Sequence, residues 1–129
     1  MSTAPVRFAD GKRCRVVSGR WISPFTNNVI SDTSLMDIDH VVPLHWAWTH
    51  GADVWTRERR EAFANDPANL LPVESALNRQ KGDKGPKDWL PPAGQCAYIA
   101  RFQRVVRTYG MVLSIDEEAA HRRLLEGCR

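Results

Sequence analysis

The spacing of apolar positions changes several times along the chain, and each change predicts an element. The stretch RCRVVSGRW reads as a strand that ends at the Ser18–Gly19 turn. A second extended segment, NVISDTSLMDIDHVV, runs toward Pro43, which has no N–H to give a ladder and should end it. PLHWAW and TRERREAFA then take on helical character, the second with Thr56 as N-cap. NDPAN is a loop, because Asn, Asp and Pro all favour turn geometry. LLPV follows as a short strand, and ESALNRQKG as a helix of good formers with a glycine stop. The Pro/Gly-rich DKGPKDWLPPAGQ is expected to connect across the surface. From Cys96 to Tyr109 the apolar residues Tyr98, Ile99, Phe102, Val105, Val106 and Tyr109 recur at helical period, with Arg101, Arg104 and Arg107 on a solvated face. Gly110 closes that helix, and Ser114-Ile115-Asp116-Glu117 forms a capping box for a last helix over Ile115 to Glu126, stopping at Gly127. These two helices predict a C-terminal αα-hairpin over about 95–128. Cys96 and Cys128 would lie at the same end of it, close enough to pair, whereas a reducing cytosol would keep them as thiols.

A length of 129 residues and 14.6 kDa fits a single domain, 1–129, around one modest core. With 43% hydrophobic and 26% charged residues the chain is globular rather than disordered. Trp46, Trp48, Trp55 and Trp89 are expected as core and loop anchors. The net charge of +3 permits a polyanionic partner without demanding one. No apolar leader core stands in MSTAPVRFADGKRCRVV, and no window approaches the roughly 20 apolar residues of a membrane span. The expectation is a cytoplasmic protein with no membrane partner. Three cysteines without C-x-x-C indicate neither a zinc ribbon nor a disulfide framework, and Cys14 is expected as a buried thiol.

The candidate chemistry lies in DIDHVVPL, where His40 follows a carboxylate inside a β-branched run. Alone, an Asp-His pair reads most simply as a buried, hydrogen-bonded histidine. Asn69 and Asn78, separated by eight residues, change that reading. The series DIDHVVPL, AW, GA, W, FAND, NLLPV, NRQKGD and WLPP resembles the HNH, or ββα-metal, nucleases, in particular the branch that includes GmrSD C-terminal domains and small secreted bacterial nucleases. The resemblance covers roughly Cys14 to Cys128. It implies an α+β fold with a ββα-metal (His-Me finger) core over about 37–83, a short β-hairpin and additional helices. It also implies that Asp39 and Asn78 are metal ligands, His40 the general base, and Asn69 the residue that orients it. The gap of 28 residues between His40 and Asn69 departs from other members of the wider family.

Elementary chemistry makes the same set intelligible. Phosphodiester hydrolysis needs a water, a base to deprotonate it, and a cation to offset the charge that develops. A histidine is suited to be that base. One charged and one neutral oxygen ligand suit Mg2+ or Mn2+ better than Zn2+. Lys81 lies three residues beyond Asn78 and is expected to reach a phosphate, with Arg79 and Lys84 as weaker backbone contacts. Asp37 supports the ligand or is a surface carboxylate. His45 and His50 fall on no motif position, and they and His121 are expected to be structural or surface residues. The substrate implied is nucleic acid, DNA in preference, with little sequence specificity because nothing resembles a recognition helix. Two alternatives stand beside this endonuclease: a non-catalytic nucleic-acid-binding module, and a toxin or mobile-element nuclease acting with a partner such as an immunity protein.

Overall fold

The computed structural model describes residues 7–8 and 16–128, so the expectation for Cys14 lies outside the described residues. Over the described residues the chain is a mixed α+β protein with two small antiparallel sheets. One holds β1 (Arg7–Phe8), β2 (Val16–Ile22) and β3 (Val29–Asp32) in sequence order. The other pairs β4 (Met36–His40) with β5 (Leu70–Glu74). The helices are α1 (Leu44–Trp48), α2 (Arg57–Ala64), α3 (Ser75–Lys81), α4 (Gln95–Tyr109) and α5 (Ile115–Glu126).

Two expectations for the strands need correction. β2 continues through Ser18 and Gly19, where the ladder to β3 only shifts register, and the chain turns back at Pro24–Asn27. Asn27 supplies the left-handed conformation that this turn needs, with φ 64°. The long extended segment is two strands in different sheets. Asp32 accepts from the Ser34 N–H at 2.9 Å and from its hydroxyl at 2.7 Å, capping a 3-10 turn over Thr33–Leu35 that redirects the chain. β4 then stops at His40, and Pro43 begins α1 instead of ending a strand.

β4 and β5 run opposite one another from Met36↔Glu74 to His40↔Leu70. Pro72 fits within β5, opposite Ile38, because in a two-stranded sheet each strand has a free edge. α3 follows β5 directly and packs against both strands. Glu74, at the end of β5, accepts from the Ser23 hydroxyl and from the Thr26 hydroxyl at 2.7 Å, which ties the two sheets together.

The core gathers Phe25, Val41, Val42, Trp46, Phe63 and Val73 against Tyr98, Phe102, Val105 and Val106 of α4, the face set by helical period. Trp46 is an anchor of this core, and Trp55 and Trp89 pack on its edge, but Trp48 is 48% exposed. The segment after α3 runs only partly over the surface: Gly85, Pro86 and Pro91 are buried. Gly85 lies so close to Trp46 that an added Cβ would fall 2.6 Å from the indole nitrogen. The C-terminal αα-hairpin is closed by a Cys96–Cys128 disulfide with Cα atoms 5.6 Å apart. No helix of the described residues is long and apolar enough to cross a membrane.

Candidate active site

The end of β4 and the middle of α3 bring Asp39, His40 and Asn78 to one polar depression of about 150 Å³, bordered by Pro43, Leu44 and Gly82. Strict alternation would send Asp39 and His40 to opposite faces. The ladder ends at His40, and both residues line the same depression. Asp39 is buried and His40 half-buried.

The His40 ring is held by a group with no sequence signature. Its Nε2 lies 2.9 Å from the carbonyl oxygen of Ala64, the last residue of α2. A carbonyl can only accept, so Nε2 carries the proton and Nδ1 the lone pair. Asn69 does not bond the ring. Fully buried, it receives the Val42 N–H on Oδ1 at 2.7 Å, donates Nδ2 to the Val42 carbonyl at 3.2 Å, and takes the Val41 N–H on its own carbonyl at 2.9 Å. It therefore fixes the chain immediately past His40. Asn78 donates Nδ2 to Asp37 Oδ2 at 3.1 Å, and the Ser75 hydroxyl donates to Asp37 Oδ1 at 3.1 Å. Asp37 is thus a support for Asn78, holding its amide nitrogen.

Lys81 departs most from the sequence reading. Instead of reaching outward for a phosphate, it is fully buried. Its ammonium donates to both oxygens of Asp39, at 3.0 and 3.2 Å, and to the His40 carbonyl at 2.7 Å. The spacing held a signal for this, since Lys81 lies one helical turn beyond Leu77, which packs against the core. Burial raises the Asp39 carboxyl above the usual range, against the opposing pull of Lys81. Burial likewise lowers the Lys81 ammonium, against the pull of Asp39. Arg79 and Lys84 are exposed, and the Lys84 ammonium turns back to the Gln80 carbonyl at 3.1 Å.

The other histidines lie elsewhere. His45 is exposed, 3.8 Å from Asp83. His50 stacks on Trp46 with ring centroids 3.5 Å apart and meets both oxygens of Glu117 at 2.9 Å. His121 is buried against Phe102, with Nδ1 3.1 Å from Gln103. Among the described residues no group of three or more His, Cys, Asp or Glu side chains is placed to hold a metal ion.

The chain is similar to a protein of Arthroderma benhamiae described as an uncharacterized secreted protein. The two are 39% identical over 119 residues, an alignment that takes in 89% of this chain and 58% of the relative. The chain thus spans a little over half of that relative's length. No solved structure matches it. The C-terminal domain of GmrSD restriction endonucleases matches residues 4–112, a stretch that contains the whole depression and every residue that shapes it. The chain belongs to that family of restriction endonuclease C-terminal domains.

Proposed function

We propose that the chain is a metal-dependent endonuclease that hydrolyses phosphodiester bonds of DNA with little sequence specificity of its own, on a ββα-metal core made of β4, β5 and α3. The observation that carries this reading is the His40 ring. Its Nε2–H is committed to the Ala64 carbonyl, which leaves Nδ1 as a base at a depression that Asp39 and Asn78 also line. In the family, that is the place of the residue that deprotonates the attacking water.

The donor chemistry fits one divalent cation. Asp39 offers a carboxylate, and the bond from Asn78 Nδ2 to Asp37 leaves the Asn78 amide oxygen as the ligating atom. The Lys81 ammonium occupies one side of the Asp39 carboxylate, whose two oxygens have lone pairs to spare for a second cation. Two protein oxygens suit Mg2+ or Mn2+, with water and phosphate oxygens completing the shell, better than Zn2+. When bound, the ion would offset charge developing on the phosphorane and the leaving oxygen. Asn69 and Ala64 keep His40 in place throughout. Arg79 and Lys84, exposed beside α3, are suited to backbone phosphates of the same strand. A non-catalytic binding module is the weaker reading, since it would have no use for a histidine whose tautomer is fixed beside a carboxylate.

The exposed Cys96–Cys128 disulfide favours an oxidising compartment over the cytoplasmic expectation, in keeping with the secreted description of the relative. A secreted nuclease with an immunity partner is compatible with the same site.

The test is supercoiled plasmid incubated with the wild type and with His40→Ala, in Mg2+, Mn2+ or excess chelator. The expected outcome is nicking or linearisation by the wild type only with metal, and a loss of about 10²-fold or more in the variant. Cleavage in chelator, or full activity in the variant, rejects the mechanism.

A further inference from the structure

Beside the depression lies a larger groove of about 340 Å³ between α1 and α2. Its floor is apolar, made by Ala47, Ala52 and Phe63, each almost fully buried. Its walls include Leu44 and Trp48, one helical turn apart on α1 and each 48% exposed. Large apolar side chains this open, in adjacent positions beside a cleft, mark a surface built to be covered. Two features say by what. The groove adjoins the candidate active site, since Leu44 borders both hollows and Ala64, whose carbonyl holds His40, lines the groove. Its rim carries Arg57, Arg60 and Glu61; Arg57 Nε donates to the Glu61 carboxylate at 3.0 Å, so the charge not balanced by an acid on the rim is that of Arg60. The Arg60 guanidinium lies 5.4 Å from the centre of the Trp48 ring, held there by bonds to the Trp55 carbonyl at 3.0 Å and the Ala52 carbonyl at 3.4 Å.

We propose that this groove is a nucleobase subsite: it takes an unpaired base of the strand being cut, stacked on Trp48, with Arg60 beside the adjoining phosphate. An exposed indole with a guanidinium against it combines the π-face and the positive charge that single strands require. A base can enter only where it is free of its partner, so the preferred substrate is single-stranded or locally unpaired nucleic acid. The proposal rests on the nuclease reading for the identity of the ligand, and its test is independent of cleavage.

Binding is measured by fluorescence anisotropy in a His40→Ala background, with a short labelled single strand and the matching duplex. Trp48→Ala is expected to weaken single-strand binding roughly tenfold and duplex binding much less, while Trp48→Phe retains most of it. Equal losses on both probes, no loss on the single strand, or a loss as large with phenylalanine as with alanine overturns the proposal. So does a concentration-dependent dimer that Trp48→Ala abolishes, because a second copy would then cover the groove. As a measurement that needs no variant at Trp48, irradiation with a bromouracil-substituted single strand should cross-link the peptide carrying Trp48; adducts confined to other peptides overturn it. Should the wild type cut no nucleic acid in the plasmid assay while these binding results hold, the nuclease reading falls and the subsite stands.

Discussion

An ammonium and a carboxylate buried together cost several kcal/mol each to remove from water, and their attraction offsets that cost only while both partners stay. Lys81 and Asp39 are in that position, and the His40 carbonyl takes a third proton of the same ammonium. The pair therefore locks the end of β4 to the last turn of α3. Removing Lys81 strands a buried charge. Lys81→Ala should lower stability by about 3–5 kcal/mol, read as a fall in the midpoint of urea unfolding. A loss below about 1 kcal/mol, as for an exposed pair, would mean that the side chain turns outward after all. At this scale, sequence spacing was informative about which residues meet: Asp39, His40 and Asn78 reach one depression across the 37 residues between His40 and Asn78. It was uninformative about what holds them. The Ala64 carbonyl is a backbone group, and a backbone group leaves no mark on residue identity.

Helices carried the clearest local signals. Thr56 caps α2 by accepting from the Arg59 N–H at 3.2 Å, and both arms of the capping box on α5 are made, with Glu117 N–H on the Ser114 hydroxyl at 3.1 Å and Ser114 N–H on the Glu117 carboxylate at 2.9 Å. The strands were harder to read, because a β-branched run does not announce a change of sheet. The break at Thr33–Leu35 depends on an Asp32 side chain two residues from the Ser34 N–H, a short-range bond within an otherwise extended pattern. Glu117 has a second role that capping alone did not predict, since it also holds His50 of the loop after α1. Burial alone would raise this carboxyl, but the Ser114 N–H and His50 outweigh it and leave Glu117 below the ordinary glutamate range. The unfolded chain therefore takes up the proton first as pH falls. The stability that Glu117 contributes is complete above its unfolded value and is lost as pH drops through the lowered folded one. Glu117→Gln should lower the melting temperature at neutral pH by an amount worth about 1 kcal/mol. The gap to the wild type should close from about pH 5 downward. A gap that stays constant across that range would remove Glu117 from the acid transition.

Among the described residues, two of the braces between distant segments are the Asp39–Lys81 pair and the disulfide that closes the helical hairpin. Cys96 and Cys128 enclose 32 positions of sequence separation, so the bond should contribute about 3–4 kcal/mol through the unfolded state. Thermal melts with and without a thiol reductant check this; unchanged melting would mean that hairpin packing alone carries that end. The sequence leaves the pairing of these cysteines open to either state, because hairpin geometry brings them together while the compartment decides their chemistry. The helices and the helical hairpin were readable from period and caps, and the α+β class followed from the family resemblance. The burial of Gly85, Pro86 and Pro91 was not, since composition marks a connection without saying which side of it meets the core.

The pairing of β4 with β5 has a consequence in time as well as in space. Its partners are separated by 30 to 38 positions, with α1 and α2 inside the loop they close, and the disulfide lies wholly outside that loop. Bringing such distant segments together is a search whose entropy must be met before any of the ladder forms. Cross-linking the C-terminal hairpin does nothing to shorten it. The depression that holds His40 is therefore assembled by long-range encounter, at a pace set by the 40–70 stretch and indifferent to whether the cysteines are joined.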